Sequence, residues 1–188
     1  MPGRAAFPVA YRASFLHLPA NSKGSRRAPR KLPMSALRLR AVDSIDLSII
    51  AAHLQDALAQ VRDMAYEPGK RRFAILFNRF MWEDVEAQKA AGAKADENAP
   101  HRRVRSALHF DAVERVQTQG LKLANKDAVA ELLTLAFEPN GDLSGAIRMT
   151  FAGGGAVKLQ VECLDAWLTD ISAPWPTPRR PGHDEPSR

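Results

Sequence analysis

His109 and Asp111 stand two positions apart, the spacing that puts both side chains on one face of a β-strand. A carboxylate so placed can orient an imidazole for proton transfer, which makes His109 and Asp111 a candidate acid/base pair for a small hydrolase or isomerase. No recognisable turn ties a serine or cysteine nucleophile to them, so a cross-strand polar contact explains the pair as well. Arginine offers different chemistry. Arg71, Arg72 and Arg79 precede Arg102, Arg103 and Arg105, and if the two stretches pair as strands, several guanidinium groups meet near one end of a sheet. There they can grip a carboxylate or phosphate bidentately. Arg79, Arg103 and Arg105 are therefore the candidate ligand-binding residues, while a solvated strand end accounts for the same charges.

Other motifs carry less. Gly153-Gly154-Gly155 has the composition of a phosphate loop without its context, since a strand rather than a helix follows the glycines, and it is read as a hairpin turn. His53 and Asp56 suit a surface ion pair on a helix. The single cysteine, Cys163, leaves no intramolecular disulfide and no cysteine-based zinc site to build. Its apolar neighbours fit a small buried hydrophobe rather than a reactive thiol. Neither a cofactor nor a metal is expected.

The elements that must position these residues follow from periodicity. After a first strand at 36–42, apolar residues from Leu47 to Leu58 recur at helical spacing, predicting an amphipathic helix over 44–59. A strand over 61–67 and a type II turn at Pro68-Gly69 lead into a strand over 71–82, apolar on both faces and so central in its sheet. Residues 83–100 are charged and alanine-rich, and read as a mobile insertion with a short helix at its start. A strand over 102–120 bends in its later half. Residues 128–138 mix helix propensity with strand alternation and are assigned to a strand. Residues 145–151 and 156–161 form a hairpin across the glycines. Leu164, Trp167, Leu168 and Ile171 close the chain with a helix at i, i+3, i+4 and i+7. The expected fold is α+β, a mainly antiparallel curved sheet of about six to seven strands with one helix after the first strand and a C-terminal helix. A sheet plugged by that last helix is similar to a pleckstrin-homology-like barrel, although the helix at 44–59 departs from that pattern.

Charge and proline set the boundaries. The chain carries +6 overall and a pI near 9.8, yet its first acid is Asp43 and residues 1–33 hold Arg4, Arg12, Lys23, Arg26, Arg27, Arg30 and Lys31. The remainder is close to neutral, so whole-chain charge argues for neither a nucleic-acid nor a membrane partner. Prolines crowd the two ends and are sparse between, as expected for residues excluded from helix interiors and central strands. Residues 1–34 are read as a disordered basic tail, arising from a start assigned upstream of Met34 or from a transit peptide. Residues 35–171 are read as one globular domain and 172–188 as a proline-rich disordered tail.

Four separated blocks carry a resemblance: Ala51-Ala52-His53-Leu54-Gln55-Asp56-Ala57; Arg71-Arg72-Phe73-Ala74 with Asn78-Arg79-Phe80; Arg105-Ser106-Ala107-Leu108-His109-Phe110-Asp111; and Phe151-Ala152-Gly153-Gly154-Gly155 with Val161-Glu162-Cys163. In this order, over residues 36–176, they resemble a small bacterial family known as domain of unknown function 2948. The resemblance implies no activity and no catalytic residues. It supports a start at Met34, since similar members begin near Leu37-Arg38-Leu39. The functional expectation is a cytoplasmic, non-catalytic binding or interaction domain for an anionic ligand or an acidic partner surface. The alternative is an enzyme using His109 and Asp111. Nucleic acid and membrane are disfavoured as partners, and the oligomeric state is not legible.

Overall fold

Asp43 decides where the first helix begins. A computed structural model describes residues 36–90, 101–178 and 181, opening with strand β1 (Arg38–Ala41). The Asp43 carboxylate then accepts from the backbone N–H groups of Ile45 at 2.9 Å and Asp46 at 2.8 Å, satisfying donors that the first turn leaves free. Helix α1 (Ser44–His53) follows, and Leu47, Ile50 and the adjacent Leu54 bury inward. The helix stops at His53 instead of reaching residue 59. Asp56 takes a left-handed φ of 56° that turns the chain, and Leu58 opens strand β2 (Leu58–Gln60). A short 3-10 turn at Val61–Asp63 precedes β3 (Met64–Glu67). A second covers Pro68–Lys70, and here Arg71 with φ 52°, not Gly69, supplies the left-handed residue.

The remaining elements are β4 (Arg72–Phe80), α2 (Trp82–Ala90), β5 (His101–Phe110), β6 (Val113–Gln119), β7 (Val129–Pro139), β8 (Gly145–Phe151), β9 (Ala156–Val161), β10 (Ala166–Asp170) and β11 (Trp175–Thr177). The strands form one antiparallel sheet, in the order β1-β10-β5-β4-β2-β7-β8-β9-β6, with β3 also on β4 and β11 on β5. It is curled but not closed. The described residues give 11 strands rather than six to seven. β2, β3 and β11 are three or four residues long, too short for alternation to register in a sequence window.

Curling turns one face inward. Phe73, Ile75 and Phe77 of β4 pack there with Leu108 and Phe110 of β5, Ile147, Met149 and Phe151 of β8, and Leu47, Ile50 and Leu54 of α1. β4 is central as expected, and it pairs with β5 from Phe73↔Phe110 to Phe80↔Arg103. The β8–β9 hairpin also forms as expected, with Ile147↔Leu159 and Met149↔Val157.

The C-terminal segment is the largest correction. Residues 164–171 are not a helix; Ala166 to Asp170 form β10, between β1 and β5. A strand there gives hydrogen-bond partners to both neighbours, which a helix would leave bare. Alternation replaces the helical stripe: Ala166, Leu168 and Asp170 face the core, while Trp167 turns outward and is 37% exposed. Trp167→Ala should therefore cost about 1 kcal/mol or less, the range of surface replacements, rather than the 3–5 kcal/mol of a buried aromatic. Urea titration of the two proteins checks this. Beyond residue 171, Trp175–Thr177 pair with β5 through Trp175↔Arg103 and Thr177↔His101. The first part of the expected insertion at 83–100 is the helix α2. Residues 91–100 and the basic tail lie outside the described residues.

Candidate ligand-binding face

The three candidate arginines do not converge. Arg79 follows Phe73, Ile75 and Phe77 on the inward face of β4 and is fully buried. Its register partner on β5 is the buried Val104, so Arg103 and Arg105, on either side of Val104, point to the opposite face.

Arg79 is already occupied. Its Nε and Nη2 donate to Asp170 at 3.0 and 2.8 Å, and Nη1 and Nη2 donate to Glu83 at 3.0 and 2.7 Å. Asp170 also accepts from the Ser106 hydroxyl at 2.6 Å and the Leu37 backbone N–H at 3.2 Å. Burial acts to raise the Asp170 pKa, but the bonds from Arg79 and Ser106 outweigh it and hold the carboxyl below its usual range. Arg79 is shifted the opposite way: burial acts against its charge, yet Asp170 and Glu83 raise its pKa. Both groups are ionised and mutually satisfied. This cluster ties β4, β5, β10 and the first turn of α2 together, and it has no capacity left for an external anion.

On the outward face, β5 shows His101, Arg103, Arg105, Ala107 and His109 in sequence. Trp167 is the register partner of His109 and Trp175 that of Arg103; both indoles are over a third exposed. The His109 ring lies nearly parallel to Trp167, at 9° and 6.4 Å between centroids, and Arg40 sits 4.9 Å from the indole centroid. His109 Nε2 is 3.9 Å from Asp111, beyond hydrogen-bond range. Both Asp111 oxygens accept from Arg72 instead, at 2.6 and 2.9 Å, which depresses the Asp111 pKa. Burial, with Arg72 nearby, lowers the His109 pKa and disfavours the imidazolium. In this geometry Asp111 orients Arg72 rather than His109.

Five of the six arginines singled out by the sequence have carboxylate partners. Arg71 pairs with Glu162 at 2.8 Å, Arg72 with Asp111, Arg79 with Asp170 and Glu83, Arg102 with Asp84 at 2.7 Å, and Arg105 with Asp63 at 2.9 Å. Arg103 differs. Among the described residues no carboxylate lies within 4 Å of it. Its guanidinium rests 6.0 Å from the Phe80 centroid and donates from Nη1 to the Asn78 carbonyl at 3.0 Å. Phe80 in turn packs against Trp82 and His101. Burial lowers the Arg103 pKa, with Glu131 and Asp56 acting in the other direction, and the group remains a cation.

A family model described as a protein of unknown function, DUF2948, matches residues 37–183. The chain belongs to this family. No curated protein and no solved structure matches it. The DUF2948 match extends past residue 171, in keeping with the ordered strand β11.

Within this DUF2948 domain, sequence reasoning missed Asp170 and Glu83 as partners of Arg79, Ser106 as a donor to Asp170, and Trp167 and Trp175 as surface groups. The signal for Glu83 was available, since Arg79 and Glu83 are i, i+4 across a strand-to-helix junction. Asp170 lies 91 positions from Arg79 and leaves no local trace. The expected His53–Asp56 ion pair is replaced by His53–Glu83, at 3.8 Å. Among the described residues no group of three His, Cys, Asp or Glu side chains is placed to hold a metal ion, and no helix is long and apolar enough to cross a membrane.

Proposed function

We propose that the domain is a non-catalytic binding module whose outward sheet face takes an anionic ligand or an acidic segment of a partner protein, with Arg103 as its primary anchor. The observation that carries this reading is the contrast between Arg103 and its neighbours. The other arginines of β4 and β5 are committed to carboxylates, whereas Arg103 is half-buried, held over Phe80 and without an ion-pair partner among the described residues. Such a guanidinium is immobilised before a ligand arrives, so less entropy is lost on binding. Trp175 beside it and Trp167 farther along the face add exposed aromatic area, a composition enriched at interfaces. Arg105 takes a supporting role through its exchangeable contact with Asp63. Arg79 is withdrawn from the site because its charge is spent inside the core. A cytoplasmic location suits a chain with one cysteine.

Inorganic phosphate, citrate and a poly-aspartate peptide, added in turn to the full chain, test the reading. At least one should raise the melting temperature saturably, by the amount that about 2–3 kcal/mol of linkage provides at ~100-fold excess over Kd. Arg103→Gln should abolish that rise while lowering the unliganded stability by only about 1 kcal/mol, the scale of a lost cation–π contact. Arg105→Gln should weaken the rise without removing it. Equal stabilisation of wild type and Arg103→Gln would mean general salt exclusion and overturn the assignment.

A further inference from the structure

We propose that the outward face around Leu58 binds a small zwitterion, a free amino acid whose carboxylate is taken by Arg103 and whose ammonium is taken by Glu131 and Asp56. The site rests on Arg103 as an anion anchor and adds the second charge that the ligand must carry.

The sheet register assembles these groups. Leu58 of β2 is the partner of Asn78 on β4 and of Glu131 on β7, so the three side chains share one face with Leu58 in the middle. It is the outward face, because the residues flanking each of them, such as Phe77, Ala59 and Ala130, are buried. Arg103 reaches the row from β5. Its Nη1 donates to the Asn78 carbonyl, which places the guanidinium over β4. Asp56 stands two positions before Leu58, where its left-handed φ of 56° turns the chain. Both Glu131 and Asp56 are near enough for their charge to favour the protonated Arg103.

Unused bonding capacity marks the place. The neighbouring carboxylates of Asp63, Asp84, Asp111 and Asp170 each hold an arginine. Among the described residues Asp56 and Glu131 have neither an ion pair nor a side-chain hydrogen bond, although Asp56 is only 8% exposed. A carboxylate withdrawn from water without a donor is costly to keep. A ligand ammonium supplies three donors. The Asn78 side-chain amide, also unengaged, can bond to either end of the ligand.

Charge decides the class of ligand. A simple anion at Arg103 meets the field of two carboxylates, and a simple cation at those carboxylates meets the guanidinium. A ligand carrying both charges satisfies all three groups. Size follows from the groove of about 290 Å³ between α1 and β7, whose lining includes Gln55, next to Asp56, and Leu132, next to Glu131. That volume is at the lower limit for small-molecule sites, and its mixed polar and aliphatic walls suit a short side chain.

NMR titration of the isotope-labelled full chain with L-alanine, acetate and methylammonium tests the site. Alanine should give saturable shifts centred on Leu58, Asn78 and Glu131 with a Kd of ~1–10 mM, and the two singly charged compounds should bind at least ~10-fold more weakly. Glu131→Gln and Asp56→Asn should each weaken alanine at least ~5-fold without weakening acetate; asparagine tolerates the left-handed φ, so the second variant keeps the turn. Alanine and acetate binding equally, or alanine affinity unchanged in both carboxylate variants, overturns the zwitterion and leaves Arg103 as an anion anchor. No saturable shift with alanine overturns it too, and the Arg103 reading then stands on phosphate, citrate and poly-aspartate. Alanine binding to Arg103→Gln as tightly as to wild type overturns both.

Discussion

Asp170→Ala is expected to lower the unfolding free energy by about 3–5 kcal/mol, the cost of stranding one partner of a buried ion pair. The substitution leaves Arg79, fully buried, with Glu83 alone, and also strips an acceptor from the Ser106 hydroxyl and the Leu37 N–H. At ~2–4 °C per kcal/mol for a chain of this size, the melting temperature should fall by roughly 6–20 °C. The double variant Arg79→Met with Asp170→Leu should be less destabilised than Asp170→Ala, because apolar groups of similar size need no partner. Guanidinium denaturation of the three proteins measures both effects. Equal losses in the single and double variants would show that packing, not charge, dominates at this junction. The same carboxyl sets an acid limit. Its folded pKa is lowered, so its contribution is fully present above the unfolded Asp value near ~3.9 and is lost as pH falls through the folded value. Wild type should lose part of its advantage over Asp170→Ala in that acid window.

Gly120→Ala should cost about 3 kcal/mol from two sources. Gly120 follows β6 at φ +65°, a conformation that opposes a β-carbon, and the added atom would stand 2.7 Å from the carbonyl oxygen of Gly154 in the β8–β9 turn. Backbone on both sides leaves little room for relief. Gly69→Ala supplies the control, because nothing lies within 4 Å of a β-carbon there and φ is not left-handed; it should be neutral or slightly stabilising. Thermal unfolding of the pair separates the local clash from the general effect of removing glycine. Matching melting temperatures would contradict the close approach.

What could be foreseen depended on how far each signal travels along the chain. Phe73, Ile75 and Phe77 alternate over a long strand, and the β8–β9 hairpin has glycines at its turn, so both were legible from neighbouring residues alone. Leu164, Trp167, Leu168 and Ile171 keep helical spacing, and in the strand Leu168 and Trp167 fall on opposite faces, so local pattern pointed to the wrong element. The strand was imposed by β1 and β5, whose free edges the segment fills. The arginines were conspicuous, but their partners were not. Alternation about Val104 could have separated Arg79 from Arg103 and Arg105 had the β4–β5 register been known, and only tertiary structure supplied Phe77↔Ser106 and its neighbours. Trp175 was hidden by the prolines on either side of it, of which Pro176 sits in the short strand β11, where a missing N–H costs little.

The place of β1 beside β10 bears on how the protein is made. Leu37 and Asp170, 133 positions apart, are hydrogen-bonded to each other, so a ribosome must deliver nearly the whole domain before its first strand finds a neighbour. Until then one edge of β5 lacks its neighbour β10. Pairing of such distant segments is slow relative to local hairpins such as β8–β9. The nascent chain therefore passes through a stage in which one edge of β5 and the whole of β1 lack their strand partner, an unpaired edge of the kind that favours misassembly.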